Sequence, residues 1–166
     1  DRSKPAPDIL EAALDRSGLD AADTVRILRK EITVLEKEGL AYRSNFSIYD
    51  ADDSKRLLGM IIRDLELDPK KFSPRGVGVA ISNFKNELVG PEQAVEAAAS
   101  DEPAAQQIAR IYAEYQRRLR AANAFDFDDL IGETVALLRS HPEVAAYYRR
   151  RFRHVMVDEY QDTNHA

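Results

Sequence analysis

No cysteine occurs among the 166 residues. Disulfides and thiolate-bound zinc are therefore excluded. Histidine is almost as scarce. His141, His154 and His165 show no metal-ligand spacing. No apolar run is long enough to cross a bilayer, and no signal-peptide pattern opens the sequence. The expected location is cytoplasmic. Net positive charge is also lacking: 24 basic residues face 29 acidic ones, a formal charge of -5. No global positive field attracts nucleic acid, so any such contact has to come from a local patch. Glycine and proline number only seven each and sit at punctuation points.

What is present is apolar spacing. Apolar residues make up 44 % of the chain, enough for a core, in a length that suits one ordinary domain. "PDILEAALDRSG" sets Ile9, Leu10, Ala13 and Leu14 on one stripe, with Gly18 as a stop. "DTVRILRKEITVLEKEG" repeats the pattern with Val25, Leu28, Ile32 and Leu35. "FSIYDADDSKRLLGMIIRDL" starts extended and turns helical at Asp50, an N-cap followed by Asp52 and Asp53. "SPRGVGVAISNFKNELVGP" opens with Ser73 as cap and Pro74 at the first helical position, and is expected to close at Gly90-Pro91. A short helix follows from Pro91. Ile108, Ile111, Tyr112, Tyr115 and Leu119 form the apolar face of the longest helix. Two more helices cover "DFDDLIGETVALLRS" and "PEVAAYYRRRF". Only "HVMVDE" reads as a buried strand, because its β-rich run loses alternation. The expected fold is mostly α, with one strand arriving at the C-terminus.

That strand carries the chemistry. A buried strand ending in Asp158-Glu159 puts two carboxylates at the carboxyl edge of a sheet, where open α/β sheets bind ligands. Asp158 suits Mg²⁺, a hard cation that prefers oxygen, and Glu159 suits polarising an attacking water. The plain alternative is an acidic loop after an edge strand.

The neighbouring residues add to this. "DEYQDTN" resembles the Walker B motif of UvrD/Rep/PcrA-type DNA helicases of superfamily 1. "NAFDFDDLI", "ISNFKNEL" and "FSIYDADDSKRLL" resemble stretches of the same family in the same order. The match runs from about Arg26 to Ala166 and looks closest to the actinobacterial branch. The resemblance implies a 3′-to-5′ helicase of DNA repair, driven by ATP and Mg²⁺, in which two RecA-like domains sandwich the nucleotide. It also implies a helical subdomain, 1B, inserted before the Walker B strand. Residues 26–150 would be that subdomain with flanking motor helices, and residues 151–166 the strand and loop of an incomplete motor domain. Asp158 then holds Mg²⁺, Glu159 is the catalytic base, and Gln161 and Asp162 couple the nucleotide site to DNA. The implied partners are single-stranded or duplex-junction DNA and the remaining helicase domains.

The chain also departs from that pattern. No GxxxxGK followed by Ser or Thr occurs, so these residues hold no phosphate-cradling loop. The expectation is a helicase fragment that binds neither ATP nor Mg²⁺ tightly on its own. A non-enzymatic helical interaction or DNA-binding module is the alternative. Residues 1–25 stand apart as a helical segment. "KPAPDILEAALDRSGLDAADTV" is similar to a stretch of haloacid-dehalogenase-like phosphatases, with Lys4 as the lysine before proline. That family's nucleophilic aspartate motif is missing, and a capped helix explains Lys4 more simply.

Two arginine clusters remain, "RIYAEYQRRLR" and "YYRRRFRH". Arginine binds phosphates and tyrosine stacks on bases. Spacing alone favours solvated helix faces with core tyrosines. The helicase resemblance selects Arg117, Arg118 and Arg120 as DNA contacts, and leaves Arg149–Arg151 to pair with acids. In "DFDDL", Asp126 reads as an N-cap and Asp128 and Asp129 as first-turn acids rather than metal ligands. Phe125 and Phe127 are expected to pack on the sheet.

Overall fold

Asp50 starts the first long helix among the described residues. Its backbone is extended, and its Oδ1 accepts the Asp53 N–H at 2.8 Å. This is the capping geometry that satisfies an orphan helix donor. The helix, α1, spans Ala51–Asp64. The computed structural model describes residues 26, 29–32, 43–100 and 102–152. Two units divide the chain: Asn45–Asp128 is one, and the flanks Asp1–Ser44 and Asp129–Ala166 are the other.

Within the 45–128 unit, strand β1 (Ser47–Ile48) precedes α1. Helix α2 (Pro74–Asn86), helix α3 (Pro91–Ala97), a 3₁₀ turn (Ala98–Ser100), helix α4 (Pro103–Ala121) and strand β2 (Ala124–Phe125) follow. Helix α5 (Phe127–Ser140) begins at the end of this unit and continues in the other, where α6 (Pro142–Arg151) follows. The described residues are mostly helical, as the spacing predicts.

Ser73 and Pro74 behave as expected: Ser73 Oγ accepts the Gly76 N–H at 3.2 Å, and Pro74 is the first residue of α2. The end of α2 differs. The expected stop was Gly90-Pro91, but the helix ends at Asn86. Leu88 takes a left-handed conformation, with φ 55°, and the Val89 N–H turns back to the Phe84 carbonyl at 2.8 Å. That is a Schellman-type closure without glycine. Helix α1 ends the same way, with Glu66 at φ 56° and the Leu67 N–H on the Ile62 carbonyl at 3.0 Å.

β1 and β2 form a parallel pair, with Ser47 opposite Ala124 and Ile48 opposite Phe125. Ser47 N–H donates to the Asn123 carbonyl at 3.0 Å and Tyr49 N–H to the Phe125 carbonyl at 2.8 Å. The extended start of "FSIYD" is thus observed, whereas β2 was not expected. A two-residue strand is too short to show a period of two. Phe125 is fully buried and meets Phe46 edge-on, with ring centroids 4.7 Å apart. Phe127 was expected to pack with it, yet is 54 % exposed. The strand stops at Phe125 and α5 starts at Phe127, so the rule that alternate residues share a face no longer applies.

The core joins Leu58, Ile61 and Ile62 of α1 to Val77 and Ile81 of α2. From α4 it takes Ile111, Tyr112, Tyr115 and Leu119. Ile108, the fifth member of the expected stripe, is half-buried. A polar contact lies inside this apolar frame. Lys85 Nζ reaches Asp126 Oδ2 at 2.6 Å, and the Tyr115 hydroxyl donates to the same oxygen at 2.9 Å. The Lys85 and Asp126 side chains are only 4 % and 11 % exposed, so this is a buried ion pair. The sequence assigned Asp126 a cap role and Tyr115 an apolar one. Neither reading revealed that α2, α4 and the β2–α5 turn meet on one carboxylate.

In the other unit, Arg26 and residues 29–32 are helical. Ile32 is buried, as its stripe predicts. The Tyr148 hydroxyl of α6 donates to Glu31 Oε1 at 2.7 Å. Burial, then the Glu31 contact, pushes the Tyr148 phenol well above its ordinary value. Of the tyrosines in the two arginine clusters, Tyr112, Tyr115 and Tyr148 are core residues, whereas Tyr147 is exposed.

Two stability changes follow, both readable by urea denaturation. Glu66→Gly removes the left-handed penalty at an exposed helix end and is expected to stabilise the protein by about 1 kcal/mol. A loss instead would place other contacts at Glu66 above backbone strain. Lys85→Met leaves the Asp126 carboxylate buried without its cation and is expected to cost about 3 to 5 kcal/mol. Tyr115→Phe, which removes one hydrogen bond to the same carboxylate, should cost roughly 2 kcal/mol. Equal, small losses for both would mean that Asp126 is solvated.

Candidate nucleic-acid interface

Arg117, Arg118 and Arg120 lie in the last turn and a half of α4. Their surroundings weaken their case as phosphate ligands. Arg117 grips Glu114 with a fork: Nε to Oε2 at 2.7 Å and Nη2 to Oε1 at 2.8 Å. Arg118 Nε reaches Glu114 Oε1 at 2.7 Å, and its Nη1 reaches Asp64 Oδ2 at 2.8 Å. Two carboxylates therefore offset two guanidinium groups on this face. The hydrogen bond from Arg117 comes first among the causes that hold the Glu114 carboxyl at about 2, with Arg118 adding to it against the cost of burial. The same contacts push both guanidinium groups above their ordinary value. Arg120 is exposed on the same turn.

The turn between α1 and α2 is different. Its sequence, "DPKKFSPR", sets Lys70, Lys71 and Arg75 between and beside two prolines. Asp68 builds the turn. Its Oδ1 accepts the Lys70 N–H at 2.9 Å, and its carbonyl accepts the N–H groups of Lys71 and Phe72 at 3.0 and 2.9 Å. This is the local side-chain bonding that lets aspartate nucleate turns. Leu65, Leu67 and Phe72 pin the turn to the core. Lys70, Lys71 and Arg75 are all exposed, and among the described residues no carboxylate pairs with them. Helix α2 has no acid in its first turn, so its positive end adds to their field. Cations held on a rigid turn and not neutralised locally are better placed for phosphates than the paired arginines of α4.

The sequence reading missed this turn because it looked for arginines interleaved with tyrosines. The available signal was three cations in six residues, bracketed by prolines, in a chain of net negative charge.

The other predicted site residues are simply placed. Asp158, Glu159, Gln161 and Asp162 lie outside the described residues, as does Lys4. Arg149, Arg150 and Arg151 are exposed on α6, and Arg149 Nε donates to the Ala145 carbonyl at 3.3 Å. Among the described residues no group of three histidines or acids could hold a metal ion.

Comparison with known proteins bears on what this surface serves. The sequence profile of the UvrD/REP helicase N-terminal domain matches residues 22–166. The chain belongs to this helicase family. It is 64 % identical over 143 residues to the ATP-dependent DNA helicase UvrD1 of Mycobacterium tuberculosis, covering 86 % of this chain and 18 % of that protein. To UvrD1 of Mycobacterium leprae it is 59 % identical over the same share. To the ATP-dependent DNA helicase PcrA of Bacillus subtilis it is 42 % identical over 142 residues, again 18 % of that protein. The chain thus spans about a fifth of the length of these relatives. The UvrD/REP match begins at residue 22, so "KPAPDILEAALDRSGLDA" falls before it. The described helical unit, 45–128, lies wholly inside it.

The ion cluster of α4 predicts a pH response. The folded pKa of Glu114 is depressed to about 2 from an ordinary 4.5. Its stabilising contribution is therefore complete above pH 4.5 and is lost as pH falls toward 2. Melting temperature measured across this window should fall less steeply for Glu114→Gln than for the parent chain. Parallel curves would show that Glu114 gains nothing from its two arginines.

Proposed function

We propose that this chain is part of the motor of an ATP-dependent DNA helicase, and that its 45–128 unit contributes phosphate contacts along the DNA path. The observation that carries the reading is the 64 % identity to a protein named as such a helicase. The bare cationic turn of Lys70, Lys71 and Arg75 supports it. The activity is 3′-to-5′ unwinding in DNA repair, on single-stranded or duplex-junction DNA.

In the intact motor, Asp158 is the residue offered to Mg²⁺ and Glu159 the base that takes the proton of the attacking water. Gln161 and Asp162 connect that site to DNA. These 166 residues include no phosphate-cradling GxxxxGK sequence, so ATP turnover needs motor parts beyond them. The remaining helicase domains are its proposed partners. Taken alone, the chain is a DNA-binding module of modest affinity and not a catalyst.

Within the 45–128 unit the reading ranks two faces. Lys70, Lys71 and Arg75 make the main contacts. Arg117, Arg118 and Arg120 contribute less, because Glu114 and Asp64 already hold the first two.

Filter binding of the chain to a single-stranded oligonucleotide across a salt series tests this. The triple variant Lys70→Ala, Lys71→Ala, Arg75→Ala should bind more weakly. Its log-log salt slope should be shallower by about 2, since each lost phosphate contact on a single strand removes roughly 0.7. Arg117→Ala should have a smaller effect. A triple variant with unchanged affinity and slope would overturn the assignment of this turn.

A further inference from the structure

We propose that the groove between α1, α2 and the β2–α5 turn receives a cationic side chain, arginine above all, from an apolar segment of a partner polypeptide. The groove has a volume of about 580 Å³ and is lined only by residues of the 45–128 unit. Of the three cations assigned phosphate contacts above, Arg75 lines it and Lys70 and Lys71 do not.

Its lining has two chemistries. Tyr49 and Phe127 share it with four carboxylates, Asp50, Asp52, Asp126 and Asp128, while Tyr115 at its base is buried and its ring already faces Lys85 Nζ at 5.1 Å. Aromatic faces attract cations through their quadrupole, and carboxylates attract them by charge. Together they suit a guanidinium, which stacks on a ring and presents a planar fork to a carboxylate. Leu58, Val79 and Ile81 supply apolar wall for the stem and flanking side chains.

Charge decides the sign of the ligand. The one buried cation next to the groove, Lys85, is committed to Asp126 at 2.6 Å. Asp128 stands two residues on and half-buried. Burial pushes its carboxyl above the ordinary value, a hydrogen bond from Ser82 opposes this, the Asp126 charge adds to it, and the Lys85 charge opposes it. An incoming cation relieves that strain, whereas a phosphate aggravates it. Lys55 and Arg75 also line the groove, but both are exposed and end long solvated stems. Asp126 and Asp128 are the deeper charges.

Exposure points to a partner. Among the described residues of this unit, Met60, Val79, Val95 and Phe127 are the large apolar side chains left exposed. The two most exposed, Val79 at 57 % and Phe127 at 54 %, both line this groove, one from α2 and one from α5. An exposed phenylalanine flanked on either side by an aspartate has no role in the core of the unit. It fits a surface that is covered when a partner binds.

The test is a titration of the 166-residue chain, followed by amide NMR, with the blocked peptide Leu-Arg-Leu and the same peptide carrying citrulline for arginine. Citrulline keeps the shape and removes the charge. Saturable shifts are expected at Ala51–Lys55 and Asp126–Asp128, with the citrulline peptide at least about ten-fold weaker. Phe127→Ala and Asp128→Asn should each weaken the arginine peptide about five-fold or more while the rest of the spectrum stays in place. Absence of saturable shifts overturns the proposal. So does equal binding of the citrulline peptide, or indifference to both substitutions. A short oligothymidylate that shifts the same residues and displaces the peptide would reassign the groove to phosphate and overturn it as well.

Discussion

One ammonium group, on Lys85, lies against Asp126 Oδ2 at 2.6 Å, and the Tyr115 hydroxyl shares that oxygen at 2.9 Å. The helical unit depends on this contact because it joins parts of the chain that have no local reason to meet. Lys85 and Asp126 are 41 residues apart, and Tyr115 reaches them from a third element. A charge taken out of water is costly unless it is paired and hydrogen-bonded. A packing that buries either group without the other forfeits the charge pairing that offsets its desolvation. The pair therefore selects one arrangement of α2, α4 and β2. That arrangement places Phe125 against Phe46 and aligns β2 with β1.

The surface obeys a second constraint, which is local charge balance. The net charge of -5 conceals large differences from one face to another. At the end of α4 the arginines are plentiful, but Glu114 and Asp64 answer Arg117 and Arg118 at hydrogen-bonding distance. Between α1 and α2 the cations are fewer, yet no carboxylate holds them among the described residues. The difference lies in geometry. A carboxylate three or four residues earlier on a helix sits beside its arginine. In the 68–75 turn, Asp68 uses its Oδ1 on the backbone of Lys70. An anionic ligand meets little competition there. The groove beside the β2–α5 turn has the opposite character, with its deeper carboxylates outnumbering the one buried cation.

Much of the helical framework was legible. Asp50, Ser73 and Pro74 start α1 and α2 as capping chemistry requires, and the stripe Ile111, Tyr112, Tyr115, Leu119 is buried as its spacing predicts. Family membership was legible too, since "DEYQDTN", "NAFDFDDLI" and "ISNFKNEL" occur in order within the 22–166 match. Helix ends were harder to read. Glycine is the usual left-handed residue at a helix C-terminus, so Gly90 looked like the stop of α2. Leu88 takes that conformation instead, held by the Val89 bond to Phe84.

The sequence by itself determined where helices begin, which faces are apolar and which helicase family the chain belongs to. Those properties rest on local bonding and on short-range periodicity, which a linear string displays. Only the tertiary structure decided which charges remain available. It set Asp64 against Arg118, buried Lys85 against Asp126, and left Lys70, Lys71 and Arg75 in solvent. Whether a charge is neutralised depends on what stands within about 4 Å of it, because electrostatic attraction falls with distance and with the dielectric between the groups. For Lys85, and for the contact of Arg118 with Asp64, those neighbours are far away along the chain, so their fate is visible only once it has folded.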